Sequence, residues 1–167
     1  DALQPVVETL TSAMDVPLSW DLTAQDAGRF SGAYTGQSGL PLEPDRLRYL
    51  TGSALESCTA RDLEGEIPLY DWEKAQGRDP YEFFLSGASP IQVLENPAAL
   101  SDRELVVFRD SFGSSLAPLL AGSYRKITLI DLRYISSDLL ESYVRFQEQD
   151  VLFLYSALIW NQSGTIR

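Results

Sequence analysis

The chain of 167 residues contains no histidine, and that absence constrains every chemical reading of it. No imidazole is available as general base for a serine or cysteine, and no histidine-containing metal site can form from these residues alone. Cysteine occurs once, at Cys58, so no disulfide closes within the chain and the thiol lacks its usual thiolate-forming partner. Cys58 is expected to be structural. Lysine is nearly as scarce: Lys74 and Lys126 stand alone, the other eleven of the 13 basic residues are scattered arginines, and the net charge is −11. That balance offers no basic footprint for phosphate backbones or anionic lipid, so nucleic acid is not an expected partner and the acidity is assigned to solubility. No run approaches the roughly 18 consecutive apolar residues of a membrane span, and no basic-then-apolar start suggests a signal peptide, so this segment is not expected to contact a membrane. Nothing in the composition calls for a cofactor or a metal.

What is present suits one folded domain over residues 1–167: the chain is 44% hydrophobic and long enough to bury about 70% of its unfolded surface. It begins at Asp1 without a methionine and runs straight into the helical spacing Leu3, Val6, Val7, Leu10, Met14, with Pro5 suited to a first turn. It reads as the carboxyl-terminal part of something longer. Residues 17–52 are rich in Gly, Pro, Ser and Asp and predict an ordered loop, fastened to a core by Trp20, Phe30 and Tyr34. Ile67, Leu69 and Trp72 alternate with polar residues as in an edge or antiparallel strand. Asp79-Pro80-Tyr81 predicts a helical turn over 79–85, and residues 89–95 a further short strand.

The last third is more regular. Glu104-Leu105-Val106-Val107-Phe108-Arg109 is a near-continuous apolar run, as in a strand covered on both faces. Ile127-Thr128-Leu129-Ile130 and Val151-Leu152-Phe153-Leu154-Tyr155 are similar. Between the first two, Leu116, Leu119, Leu120 and Tyr124 mark one face of a helix, which Pro118 should delay to Ser114 or Ser115. A second helix, opened by Ser137 or by an Asp138-x-x-Glu141 capping box, should carry Leu139, Leu140, Tyr143, Val144 and Phe146 to the sheet. Strands alternating with helices predict an α/β fold with a parallel sheet.

Sites in such sheets gather at the carboxyl ends of the strands, here Asp110-Ser111, Asp131 to Tyr134 including Arg133, and Ser156. Ser111 stands where a nucleophile belongs. Backbone N–H groups from Ser111 through Phe112 to Gly113 are candidates to hold an oxyanion, each worth roughly 3 kcal/mol if aimed at the developing charge. Ordinary helix capping explains the same residues. Asp110 and Asp131 are poor bases for a serine unless desolvated, and Lys126 lies at the wrong end of its strand, so no triad can be assembled from this chain.

Taken together, Val107-Phe108-Arg109-Asp110-Ser111-Phe112-Gly113-Ser114-Ser115-Leu116-Ala117-Pro118, then Ile130-Asp131-Leu132-Arg133-Tyr134 and Asp150 to Tyr155, resemble the carboxyl-terminal part of the DHHW proteins, SGNH-hydrolase-like proteins of the bacterial cell surface. Phe30-x-Gly32-x-Tyr34-x-x-x-Ser38-Gly39 and Asp79-Pro80-Tyr81-x-x-Phe84-Leu85-x-Gly87 extend the likeness upstream. The resemblance implies a three-layer α/β/α sandwich with a mostly parallel, flavodoxin-like sheet, and Ser111 in the nucleophile position. It further implies an Asp-His pair, as in related polysaccharide O-acetyltransferase domains, immediately upstream of Asp1. Where family members often carry Asn after the last strand, this chain has Ser156. The expected function is that of an extracytoplasmic esterase or O-acyltransferase on acylated cell-envelope glycans, nearly inactive without the upstream histidine. The competing reading is a non-catalytic glycan-binding or scaffolding domain using Trp20, Tyr34, Trp72 or Trp160, although tryptophans more often belong to cores. A phosphate or flavin binder of flavodoxin type is disfavoured by the lack of a glycine-rich cradle after the strand.

Overall fold

The computed structural model describes residues 3–18, 21–32, 43–162, 164 and 166. Helix α1 (Gln4–Ala13) places Pro5 in its first turn, where a missing N–H costs no intrahelical bond, and buries Val7 and Thr11. The chain then forms β1 (Thr23–Phe30) and β2 (Asp45–Thr51), a two-stranded antiparallel sheet where a loop was expected. The strands escape a pattern reading because β1 is almost wholly exposed and only Leu47 of β2 is buried, so no alternation marks them. Register breaks between Asp26 and Gly28, and Gly28 supplies the φ of 120° that the bulge requires. Aromatic residues do fasten this region: Phe30 meets Tyr81 at 5.9 Å, and Tyr49 meets Tyr70, Trp72 and Phe83 edge-on. Trp20, Tyr34 and the Ser38-Gly39 pair lie outside the described residues.

Short helix α2 (Ser53–Glu56) leads to β3 (Thr59–Arg61) and β4 (Glu66–Ile67). The strand expected to continue to Trp72 stops at Ile67, because the Asp71 carboxylate accepts from the N–H groups of Glu73 and Lys74 and opens α3 (Trp72–Ala75). Asp79 likewise caps the 3₁₀ turn Pro80–Phe83, as its sequence predicts. There follow β5 (Ile91–Glu95), β6 (Glu104–Arg109), helix α4 (Phe112–Leu120), β7 (Lys126–Ile130), β8 (Asp150–Leu154) and α5 (Ala157–Asn161).

Among the described residues the main sheet has six strands in the order β4-β3-β5-β7-β6-β8. β6 runs parallel to both β7 and β8, as its flanking apolar runs predict. The sheet is nevertheless mixed rather than mostly parallel: the β3–β4, β3–β5 and β5–β7 pairings are antiparallel. Short connections account for two of these reversals, β3–β4 and β5–β7. A parallel crossover needs about a dozen residues, and neither the turn between β3 and β4 nor the segment 96–103 between β5 and β6 is long enough.

Two further expectations are corrected. Helix α4 starts at Phe112, not at Ser114 or Ser115, and contains Pro118. An interior proline costs about 3 kcal/mol, a penalty offset by burial of Leu116, Leu119 and Leu120, each worth roughly 1.5–3 kcal/mol. The second crossover is no amphipathic α-helix but the 3₁₀ segment Ser137–Ser142, with no side-chain cap from Ser136. Leu140 and Val144 are buried, while Leu139, Tyr143 and Phe146 are exposed. One sheet face, carrying Leu94, Leu105, Val107, Ile127 and Leu129, packs against α1 and α4. The other, carrying Ile91, Val93, Val106, Phe108 and Ile130, is covered by Leu132, Ile135, Leu140 and Val144, so the expected third layer is here largely irregular. Among the described residues no helix is long and apolar enough to cross a membrane.

Candidate active site

Parallel strands β6, β7 and β8 end together and bring Asp110, Asp131 and Ser156 to one edge of the sheet. Asp110 is buried, and its carboxylate ties two of these ends: Oδ1 accepts from the Phe112 N–H at 3.0 Å and Oδ2 from the Ser156 N–H at 2.7 Å. Of the residues that ordinary capping could involve here, it is Asp110 that holds the start of the helix. Ser111 occupies the N-cap position of α4 in an αR conformation, is exposed, and makes no side-chain cap hydrogen bond. Its hydroxyl takes no part in holding the helix start.

The backbone around it is largely committed. The Phe112 N–H is held by Asp110 Oδ1, the Gly113 N–H by the Asp110 carbonyl at 3.1 Å, and the Ser114 N–H by the Ser111 carbonyl at 3.1 Å. Among the described residues the Ser111 N–H has no such partner. The need for glycine at 113 is steric: a Cβ there would lie 2.6 Å from Arg109 Cβ and 2.8 Å from its Cγ. Phe112 projects outward, 55% exposed.

Arg109 runs beneath this turn and is the residue that sequence reasoning passed over. It is 1% exposed, donates to Ser114 Oγ at 3.0 Å and to Gln92 Oε1, and lies 3.9 Å from Asp131. A charge ending a buried apolar strand, with a glutamine inside Ile91-Gln92-Val93-Leu94, was the available signal, because such groups persist in a core only when paired. Among the described residues its Nε has no hydrogen-bond partner, and burial lowers its pKa despite the Asp131 charge. Arg133 grips Asp131 bidentately, Nε to Oδ1 at 2.8 Å and Nη2 to Oδ2 at 2.6 Å, which holds the guanidinium firmly charged. It also lies over the ring of exposed Tyr134 at 5.4 Å.

Tyr155 was likewise missed. Its hydroxyl is buried without a partner among the described residues, and burial, reinforced by the Asp131 and Asp110 charges, pushes its pKa up to about 12. Tyr81 closes the site from the side, donating to Ser115 Oγ at 2.9 Å, which in turn donates to the Phe112 carbonyl at 3.2 Å. Ser156 spends its own hydroxyl capping α5 through the Ile159 N–H. Lys126 lies at the far end of β7, paired with Glu104 at 3.4 Å. Cys58 is half-buried, and burial pushes its thiol up to about 11, as suits a structural role. Trp72 and Trp160 are 49% and 56% exposed rather than core residues. Among the described residues no group of three carboxylates or thiols is arranged to hold a metal.

No protein-family model matches the sequence. No curated protein matches it either. The fold, however, is shared with solved structures. A DHHW family protein from Eubacterium siraeum superposes with a TM-score of 0.69 at 20% identity, over 95% of this chain and 57% of that one. Bacillus cereus PatB1 carrying a sulfonyl adduct superposes with a TM-score of 0.63 at 22% identity, over 98% of this chain and 56% of PatB1. A second structure of Bacillus cereus PatB1 superposes with a TM-score of 0.57 at 20% identity, over 97% of this chain and 57% of PatB1. The chain thus spans somewhat more than half the length of these proteins.

Proposed function

We propose that this chain is the nucleophile-bearing part of an extracytoplasmic serine esterase or O-acyltransferase that acts on acylated glycans of the bacterial cell envelope. The observation that carries the proposal is the Ser111 hydroxyl, exposed at the turn from β6 into α4 and freed from capping by Asp110. In this reading Ser111 Oγ attacks an ester carbonyl, its proton passes to a histidine contributed from outside these residues, and the Ser111 N–H faces the oxyanion. Asp131 is not the base, since both its oxygens are engaged by Arg133. Likeness to PatB1 with a sulfonyl adduct supports an activated nucleophile on this fold.

The test is to treat the longest native form of the protein with a fluorophosphonate probe and to map the adduct by peptide mass spectrometry. An adduct on Ser111 that Ser111→Ala abolishes is the expected result. Folded, unlabelled protein overturns the assignment. A second reading, glycan binding without catalysis, is favoured by exposed Trp160, which packs edge-on against Tyr155 at 5.7 Å beside the same strand ends. It gains if calorimetric titration with an acylated glycan fragment shows binding that survives Ser111→Ala and disappears in Trp160→Ala, with no turnover.

A further inference from the structure

The irregular layer over the second sheet face leaves part of that face open. A cavity of about 680 Å³ lies there, at the amino ends of β6 and β7, within the range of about 300–1,000 Å³ usual for small-molecule sites. Strand β6 has six residues and is about 20 Å long, so the cavity is well separated from Ser111. Strand register builds the floor. Arg61 stands opposite Val93, Val93 opposite Thr128 and Thr128 opposite Val106, which makes one cross-strand row on one face; Lys126 and Glu104 stand together in the next row. Leu63, from the turn between β3 and β4, and Tyr143, from the crossover between β7 and β8, also line the cavity and are 49% and 54% exposed.

The chemistry of the lining indicates what belongs there. Thr128 is only 6% exposed, and among the described residues its hydroxyl has no hydrogen-bond partner. A buried hydroxyl ordinarily finds one, so Thr128 Oγ1 offers a donor and an acceptor to whatever occupies the cavity. The charges around it nearly cancel, with four cationic side chains against three carboxylates. Lys126 is paired with Glu104 at 3.4 Å and Arg103 with Asp150, while Arg145 and Glu148 bring one further charge of each sign. A charged ligand entering such a lining meets like charges as well as opposite ones. Val93, Val106 and the ring of Tyr143 set apolar surface beside these polar groups. The matching ligand is uncharged, has a flat C–H surface and carries hydroxyls that both donate and accept.

We propose that this cavity is a binding site for a neutral saccharide, which hydrogen-bonds Thr128 Oγ1 on the floor and lays a sugar ring against Tyr143. The site lies at the opposite end of the sheet from Ser111 and stands whether or not Ser111 is a nucleophile. Calorimetric titration of the longest native form tests it with cellotetraose and chitotetraose, neutral chains without and with N-acetyl groups, and with tetragalacturonate as the anionic control. At least one neutral chain should bind, and more tightly than the control. Thr128→Val, which keeps the shape of the side chain and removes the hydroxyl, should weaken that binding roughly two- to tenfold, the worth of one hydrogen bond. Tyr143→Ala, at an exposed position, should weaken it as well. No binding of either neutral chain, tighter binding of tetragalacturonate, or affinity that both variants leave intact overturns the site. Hydroxyl-radical footprinting of the unmodified protein needs no variant to fold: the bound saccharide should shield Tyr143 from oxidation, and a Tyr143 as reactive as before, with or without shielding of Trp160, overturns the site. Either failure leaves the fluorophosphonate test of Ser111 unaffected, so the two proposals fall separately.

Discussion

Two turns leave the sheet side by side, one after β6 and one after β7, and both begin with a buried aspartate. After β7, Asp131 is clamped by Arg133 within its own turn, and the charge is spent on holding that turn shut. After β6, Asp110 has no guanidinium within its own turn; it spends its oxygens on the backbone N–H groups of Phe112 and Ser156, and the next side chain, Ser111, is left exposed without a hydrogen bond. The same residue type at the same sheet end therefore locks one turn and releases a hydroxyl from the other. The difference lies in the residues after each aspartate: a cation two positions on in one case, and a serine leading straight into a helix in the other.

The contrast fails most severely if the β7 turn loses its cation. Arg133→Ala leaves Asp131, fully buried, with Arg109 at 3.9 Å as its remaining cationic partner. Breaking a buried pair costs about 3–5 kcal/mol, and the lower end applies because Arg109 remains and Arg133 is partly solvated. Urea unfolding should show about 3 kcal/mol lost, with Arg133→Lys intermediate because a lysine cannot reproduce the bidentate grip. On the β6 side the corresponding test is steric. Gly113→Ala brings a Cβ within 2.6 Å of a buried, ion-paired arginine that cannot swing away, so a loss of roughly 1–3 kcal/mol is expected by the same assay. Equal stability would mean that the β6 turn is slack, and that its serine is no better placed than any surface serine.

How much of this was legible in the sequence depended on how apolar and how local each element is. β6, β7 and β8 were readable because their runs are continuous and branched, and their order fixed Asp110-Ser111, Asp131 and Ser156 at one sheet end. The β1–β2 pair was not, because its side chains face solvent and its stabilisation comes from distant rings such as Tyr70 and Phe83. In the antiparallel half of the sheet, the reversal of β5 against β6 and β7 follows from the short connection of eight residues, 96–103. At the site, residue types and positions were legible, but the division of labour was not. Whether Ser111 or Asp110 caps α4, and which carboxylate Arg109 faces, are settled by packing across strands that no local spacing encodes.

Tyr155 lies electrostatically between the two aspartates and gives a smaller, pH-dependent effect. Its folded pKa of about 12 lies above the ordinary tyrosine value of 10, so the neutral phenol is favoured in the fold. Its contribution is complete below pH 10 and is lost as pH rises toward 12, because the unfolded chain releases that proton first. Tyr70 behaves likewise, since burial also pushes it up to about 12. Urea midpoints should therefore fall between about pH 9.5 and about 11.5, less steeply in Tyr155→Phe. At about pH 8 that variant should match or slightly exceed the parent, because the hydroxyl it removes is buried and unpaired.

The smallest expected effect is the most informative about the β6 turn. A serine that caps a helix costs about 1 kcal/mol when replaced by alanine, whereas a surface hydroxyl that touches nothing costs within about 0.5 kcal/mol. Because Asp110 already holds the Phe112 N–H and Ser111 makes no cap bond, Ser111→Ala should leave the urea midpoint unchanged. Asp110→Ala, which abandons two backbone donors, should cost roughly 1–3 kcal/mol. If the order is reversed, Ser111 is the cap and its hydroxyl is not free to attack anything. If it holds, the turn after β6 keeps a serine that the fold does not need, at the sheet end where catalysis on such folds is placed.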